Sequence, residues 1–158
     1  MATTKVREFL DSHHTRYVVI GHSRAYTAEE IASSAHISGK EMAKTVIVKI
    51  DGKMAMAVLP ASYKIDFDRL KESTGAKRVE LADEEEFKYL FPDCEIGAMP
   101  PFGNLYALPV YVAERLREDE EIAFNSGSHT ELFQMQYKDF EKLVQPKVIE
   151  FTAAGRAA

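Results

Sequence analysis

The sequence predicts an α+β fold in which short helices flank one mixed β-sheet, and three observations support this class. Apolar segments of strand length alternate irregularly with short helical segments, one pair of segments has the sequence of a β-hairpin, and the regular βαβ alternation of a doubly wound fold is absent. The 158 residues contain no repeat and no long linker, so residues 1–158 are expected to form a single domain.

The first half of the chain is predicted to contain two helices and three strands. Residues 6–10 end a first helix, and residues 17–20 form a short strand. Thr27 and Glu30 form a capping box that begins a helix over residues 28–35, and Gly39 interrupts the chain after that helix. Asp51-Gly52 is a strong hairpin sequence between strands at residues 44–50 and 54–59.

The second half is predicted to continue with three helices and several short strands. Asp66 or Ser62 begins a helix that ends at Gly75, and Asp83 with Glu86 caps another that ends before Pro92. Residues 97–103 form a loop because two prolines and two glycines exclude regular structure. The remaining predicted elements are strands at 78–81, 105–112, 121–125, 131–136 and 148–151, a turn at 126–128, a helix at 137–143 and a frayed tail at 153–158. The strand at 105–112 is expected to have a free edge at Pro109.

The composition is that of a globular protein, with 46% hydrophobic and 28% charged residues. No apolar segment approaches the length of a membrane span and the N-terminus does not resemble a signal peptide, so no membrane partner is expected. Cys94 is the only cysteine, which indicates a reducing, cytoplasmic location.

The distribution of charge is uneven. The net charge of −5 argues against non-specific coating of nucleic acid, and DNA is not an expected partner. Residues 40–78 nevertheless hold nine Lys and Arg against five Asp and Glu, whereas residues 79–121 hold three against twelve. The segment around Lys44 therefore either forms a local basic face or is ordinary solvated surface.

Lys44 is the first candidate functional residue. Side chains alternate along a strand, so Lys44 shares one face with Val46 and Val48, while Thr45 and Ile47 share the other. Both faces are largely apolar, which predicts a central strand covered on both sides. Burying an ammonium group costs several kcal/mol unless an anionic or polar group meets it. Lys44 therefore either extends to solvent along its apolar stem or faces a functional pocket.

Two loops are the other candidates. Residues 97–103 contain two glycines that allow backbone to approach a ligand closely. Residues 125–129, Asn-Ser-Gly-Ser-His, offer backbone N–H groups, hydroxyls and an imidazole, which can form an anion-binding nest or an oxyanion hole. Each loop alone is also compatible with simple turn chemistry, but the two together with Lys44 form a more specific set.

Other chemistries have less support. None of the five histidines belongs to a familiar metal motif, and no phosphate-binding glycine motif is present, so no metal or cofactor is expected. His13 and His14 are expected on a solvated turn. Cys94 lies between acidic residues that raise a thiol pKa, which predicts a packing role and not a nucleophile.

The sequence resembles the YbaK/EbsC family, also called the prolyl-tRNA synthetase-associated or editing domain. The resemblance covers roughly residues 27–151 and depends on the order and spacing of residues 43–48, 97–103, 108–112, 124–129 and 139–140. It implies a compact fold with a central mixed, barrel-like sheet and metal-independent hydrolysis of mischarged aminoacyl-tRNA, typically tRNA(Pro) carrying Ala or Cys. It also implies the acceptor end of aminoacyl-tRNA as a partner and prolyl-tRNA synthetase as a further one. A monomer or weak homodimer is the expected state, although the sequence itself does not give it.

The resemblance also implies roles for individual residues. The functional lysine of the family corresponds to Lys44 and its glycine loops to Gly97, Gly103 and Gly127, while His129 lies where some alanine-editing members have a histidine. Lys44 is expected to hold the terminal phosphate or the ester carbonyl, the N–H groups of Gly127 and Ser128 to stabilise the oxyanion, and His129 to position water or act as base. The residues expected to bind substrate are Thr45, Gly97, Pro100, Gly103 and Asn125.

Two positions depart from the family pattern. Ala113 stands where many members have an acidic residue, with Glu114 adjacent, and Thr45 is typical of the cysteine-editing branch. The amino acid removed therefore stays open. A non-catalytic module that binds a tRNA end, a nucleotide or a protein is the alternative function. A lysine Schiff-base enzyme, which would need a depressed Lys44 pKa, is a third possibility.

Overall fold

The computed structural model of the protein describes residues 5–21 and 42–153. The predicted capped helix at 28–35, Gly39 and residues 154–158 of the predicted tail lie outside the described residues. The helices are α1 (Lys5–Ser12), α2 (Phe67–Thr74), α3 (Glu84–Phe87), α4 (Glu114–Arg117) and α5 (Tyr137–Val144), with 3₁₀ turns at Lys88–Leu90 and Gly103–Leu105. The strands are β1 (Val18–Gly21), β2 (Ala43–Ile50), β3 (Lys53–Pro60), β4 (Lys64–Ile65), β5 (Val79–Leu81), β6 (Val110–Ala113), β7 (Glu121–Asn125), β8 (Glu131–Gln136), β9 (Lys147–Ile149) and β10 (Thr152–Ala153).

The predicted mixed sheet is confirmed. Its five strands have the order β5-β2-β3-β6-β9, with antiparallel pairing around β2 and parallel pairing of β6 with β3 and β9. A second, antiparallel sheet has the order β1-β8-β7, and β4 pairs with β10. A single parallel bridge between Met42 and Ala123 connects the edge of β2 to β7. The start of β2 therefore lies where the two larger sheets meet.

The local turn and cap predictions are confirmed. Asp51 and Gly52 have φ values of +51° and +82°, as the tight β2–β3 hairpin requires. Asp66 caps α2 and Gly75 ends it at φ +72°, so the helix starts at the later of its two predicted positions. Asp83 and Glu86 form the predicted capping box, but α3 is a single turn that continues as 3₁₀ helix before Pro92.

Strand β2 is covered on both faces, as predicted. Ala43 and Ile47 belong to the larger hydrophobic core, while Val48 belongs to a second core on the opposite face with Leu59, Leu70 and Phe151. The larger core is rich in aromatic rings, and fully buried Phe102 packs against Phe9, Phe124 and Phe140. Because Phe102 belongs to the predicted loop at 97–103, that loop is anchored in the core.

Two predicted strands are wrong in part. Residues 105–109 are not a strand, because Gly103–Leu105 form a 3₁₀ turn and Ala107 has a φ of +58°. Pro109 does not mark a free edge, since its carbonyl accepts a hydrogen bond from the Met56 N–H at 2.9 Å and β6 lies between two strands. The final strand ends at Ile149, and Ala153 is not frayed because it pairs with Lys64.

None of the helices in residues 5–21 and 42–153 is long and apolar enough to cross a membrane.

Candidate functional site

Lys44 lies at the junction of the two larger sheets. It is the second residue of β2, pairs with Leu59 and is half-buried. Met42, on the same side of the chain, bridges Ala123 of β7, and Asn125 lies two residues beyond Ala123. Because the bridge is parallel, the chain runs in the same direction from Met42 to Lys44 as from Ala123 to Asn125. The structure therefore places the lysine and the first residue of the loop 125–129 at the same end of the junction.

Thr45 lines a different space from Lys44. By strand alternation its side chain lies on the opposite face of β2, the face that holds Ile47. A mainly apolar cavity of about 240 Å³ opens on that face. Its lining includes Thr45, Ile47, Phe87, Ile96, Gly97 and Met99. Two of the predicted substrate-binding residues, Thr45 and Gly97, thus line the same cavity.

The turn between β7 and β8 is held by its own side chains and leaves two amides available. Gly127 has a φ of +113°, which favours glycine, and the Ser128 hydroxyl lies 2.8 Å from the Thr130 hydroxyl and accepts the Thr130 N–H at 3.1 Å. The N–H groups of Ser126 and His129 also have acceptors. Among the residues that the structure describes, the N–H groups of Gly127 and Ser128 have none.

His129 is fixed by two hydrogen bonds to the segment before Gly97. Its backbone N–H donates to the Glu95 carboxylate at 2.7 Å, and its Nε2 lies 2.7 Å from the Ile96 carbonyl oxygen. A carbonyl oxygen only accepts, so Nε2 holds the hydrogen and Nδ1 of the neutral ring is left as the acceptor. The structure therefore brings His129 next to the second predicted loop.

Gly97 lies against the His129 ring. Its φ is +88°, and a Cβ added there would lie 3.3 Å from Cε1 and 3.5 Å from Nε2 of His129. Its N–H donates to the Met99 sulfur at 3.2 Å. Glycine at this position thus lets the imidazole ring lie against the backbone.

The rest of the predicted loop is packed in the interior. Pro100 is buried, and Gly103 lies so close to Leu108 and Val110 that an added Cβ would be 2.7 Å from the Leu108 carbonyl oxygen and 2.6 Å from Val110 Cγ2. The substrate-binding roles of Pro100 and Gly103 stay predictions, and the structure adds a packing role for Gly103.

Three residues at the site, Arg7, Glu95 and Glu131, were not identified from the sequence. The Glu131 carboxylate accepts a hydrogen bond from the hydroxyl of buried Ser126 at 2.8 Å. Arg7 of α1 donates to both oxygens of Glu131, at 3.2 and 3.1 Å. The Glu95 carboxylate is the third, through its bond to His129. Arg7 is 124 positions from Glu131 and Glu95 is 34 positions from His129, so no local sequence pattern would have identified these contacts.

Cys94 is in a setting that disfavours the thiolate, as predicted. Burial raises the pKa of the thiol to about 12, and the nearby Asp93 carboxylate adds to the effect. The thiol lies 3.3 Å from the Tyr106 hydroxyl, whose own pKa is raised by burial and which donates to Asp93 at 3.0 Å. The predicted cause was the acidic neighbours alone, whereas burial contributes most.

The remaining candidates lie elsewhere. Ala113 is fully buried at the end of β6, and Glu114 begins α4 beside a small cavity that Tyr63 and Arg69 also line. His13 and His14 are exposed at the end of α1, as predicted. Within residues 5–21 and 42–153, no group of three or more His, Cys, Asp or Glu side chains could hold a metal ion.

Comparison with known proteins identifies the family. The model of the aminoacyl-tRNA editing domain matches residues 22–143. The multifunctional Ser/Thr-tRNA deacylase ProXp-y of Escherichia coli (strain K12) is 27% identical over 138 residues, which cover 84% of this chain and 82% of that protein. The proline–tRNA ligase of Bacillus mycoides (strain KBAB4) is 31% identical over 75 residues, 48% of this chain, and the match spans 13% of the ligase.

A solved structure supports the same fold. The crystal structure of a proposed trans-editing enzyme for prolyl tRNA synthetase superposes with a TM-score of 0.81 at 21% identity, covering 94% of this chain and 95% of that one. The resemblance noted in the sequence and the predicted fold class are thus confirmed. The chain belongs to the aminoacyl-tRNA editing domain family.

Proposed function

We propose that this chain hydrolyses the ester that joins an amino acid to the terminal ribose of mischarged tRNA, in the cytoplasm and without a metal. One observation above all supports this: within the described part of the chain, Gly127 and Ser128 present adjacent N–H groups without acceptors in the same turn that carries His129. That is the combination of oxyanion donors and base that ester hydrolysis needs. The name of the Escherichia coli relative, a Ser/Thr-tRNA deacylase, agrees with it.

The proposed reaction is a water attack on the ester carbonyl. Water adds to the carbonyl carbon and gives its proton to His129 Nδ1. The oxyanion accepts hydrogen bonds from the N–H groups of Gly127 and Ser128. The carbon–oxygen bond to the ribose then breaks, and the ribose oxygen takes the proton from the imidazole, which releases the amino acid and free tRNA. Removing one donor of an oxyanion site typically lowers the rate about 100- to 1,000-fold.

Lys44 is proposed to bind the terminal phosphate or the ester carbonyl as a point charge. Its place beside the start of the loop, at the same end of the sheet junction as Asn125, supports this role. Thr45 and Gly97 are proposed to admit a small amino acid to the apolar cavity that they line. A small amino acid on tRNA(Pro) is the proposed substrate, and prolyl-tRNA synthetase a proposed partner.

The test is deacylation of a panel of aminoacyl-tRNAs: Ala, Cys, Ser and Pro on tRNA(Pro), and Ser and Thr on their own tRNAs. Lys44→Ala is expected to lose turnover and to melt like the wild type. Lys49→Ala is the matched control, because Lys49 is on the same strand but its ammonium pairs with Glu86 at 2.7 Å.

Two outcomes would contradict the proposal. Near-normal turnover by a folded Lys44→Ala protein would refute the role of Lys44. Stoichiometric binding of aminoacyl-tRNA without turnover, across the whole panel, would instead favour the non-catalytic binding module.

A further inference from the structure

The segment Glu95-Ile96 holds the turn at 127–129 by three hydrogen bonds of equal length. The Glu95 N–H donates to the Gly127 carbonyl oxygen at 2.7 Å. The His129 N–H donates to the Glu95 carboxylate at 2.7 Å, and His129 Nε2 lies 2.7 Å from the Ile96 carbonyl oxygen. Glu95 thus bonds to the turn through both its backbone and its side chain.

These bonds determine which groups of the turn can meet a substrate. The Glu95 carboxylate accepts the hydrogen bond of the His129 N–H, which is then not available to a substrate. A bond from an N–H group to an ionised oxygen is stronger than one between neutral groups. The Gly127 carbonyl is occupied by the Glu95 N–H. Within the described residues, this leaves the N–H groups of Gly127 and Ser128 as the available donors of the turn.

The same segment, Glu95-Ile96, also determines the tautomer of the His129 ring. Because the Ile96 carbonyl can only accept, it favours the tautomer with hydrogen on Nε2. Glycine at position 97 leaves room for the ring in this orientation, since a Cβ added there would lie 3.3 Å from Cε1. Nδ1 is therefore the nitrogen that can accept a proton from water.

We propose that Glu95 is a positioning residue for the deacylation: it holds the 127–129 turn so that His129 keeps hydrogen on Nε2 and presents Nδ1 as the base. The inference rests on the proposed function. Glu95 acts through His129 and does not contact the reacting atoms, so its loss should lower kcat more than it changes KM.

The experiment compares Glu95→Ala with Glu95→Gln. Glutamine keeps an acceptor oxygen for the His129 N–H, whereas alanine removes it. Glu95→Ala is expected to lower kcat about 10- to 100-fold, the loss expected for one charge-assisted hydrogen bond, with KM within about twofold. Glu95→Gln should recover most of the loss. Glu85→Ala is the control, since that carboxylate is exposed and pairs with Lys88 on the surface.

The tautomer is read separately by long-range ¹H–¹⁵N NMR of the His129 ring. The wild type is expected to show hydrogen on Nε2 alone, and Glu95→Ala to show a mixture. Wild-type kcat in a folded Glu95→Ala protein would overturn the inference. If Glu95→Ala does not fold, the inference is tested on the wild-type spectrum, where hydrogen on Nε2 of His129 supports it and hydrogen on Nδ1 overturns it.

The two proposals fail in different ways. Turnover by a wild-type protein whose His129 ring has hydrogen on Nδ1 overturns the inference alone. Absence of turnover on every aminoacyl-tRNA overturns the proposed function itself, and with it the role of Glu95.

Discussion

Replacing Gly97 with alanine tests how closely the two loops must approach. The new Cβ would lie 3.3 Å from Cε1 and 3.5 Å from Nε2 of His129, so the ring must move by a few tenths of an ångström. That movement lengthens the 2.7 Å bond between Nε2 and the Ile96 carbonyl. A hydrogen bond of this kind contributes about 1 kcal/mol, so we expect kcat for deacylation to fall about five- to tenfold.

Alanine at this position also has a backbone cost that must be separated from the contact. A φ of +88° is unfavourable for a residue with a Cβ by about 1–2 kcal/mol. Gly52 is the matched control, because its φ is +82° and an added Cβ would have no atom within 4 Å. Both variants should lose a similar free energy of unfolding, and only Gly97→Ala should lose kcat.

The assays are thermal unfolding and steady-state deacylation of the wild type, Gly97→Ala and Gly52→Ala. Each kcal/mol should lower the melting temperature by about 2–4 °C for a chain of this size. A Gly97→Ala protein with wild-type kcat and the stability of Gly52→Ala would refute the reasoning, because the contact with His129 would then have no effect on the reaction.

Three further predictions concern stability and reactivity. Phe102→Ala should destabilise the protein by about 3–5 kcal/mol in urea unfolding, because the ring is fully buried among other aromatic rings; a loss below about 1 kcal/mol would contradict the packing described. Iodoacetamide should alkylate Cys94 far more slowly than glutathione at pH 8, as followed by mass spectrometry, because the pKa of the thiol is about 12; equal rates would show an accessible thiolate. Burial would raise the pKa of Asp93, but hydrogen bonds from the Lys5 N–H and the Tyr106 hydroxyl outweigh it and lower the pKa. The ionised Asp93 therefore stabilises the folded protein. This stabilisation is present above the unfolded-state pKa of about 4 and is lost as pH falls through the folded-state value. Asp93→Asn should flatten that part of the unfolding free energy measured against pH, and an unchanged slope would contradict the assignment.

The parts of the fold that depend on local chemistry could be predicted from the sequence. Asp51-Gly52 determines its turn through the φ values that the hairpin needs, and Asp66 and Gly75 determine the ends of α2 through backbone groups within a few residues. The segment at 105–109 could not be predicted in this way. Its apolar side chains indicated a strand, but they pack inside a turn that closes on Gly103, and Gly103 meets Leu108 and Val110 only in the folded chain.

The candidate site divides in the same way. Lys44, the glycines and His129 stand in recognisable local patterns, so they could be named from the sequence. Glu95 could not, because its function depends on a contact with His129, 34 residues away. The same holds for Glu131, whose carboxylate meets Ser126 nearby and Arg7 from the other end of the chain.

The contact between Arg7 and Glu131 has a consequence for synthesis on the ribosome. The two residues are 124 positions apart, and Phe9 of the same helix packs on Phe102. Helix α1 is therefore synthesised well before the residues that it packs against. A nascent chain that stops before Glu131 lacks both the acceptor for Arg7 and strand β8, which pairs with β7 and β1, so competence for catalysis should appear only after β8 has been made.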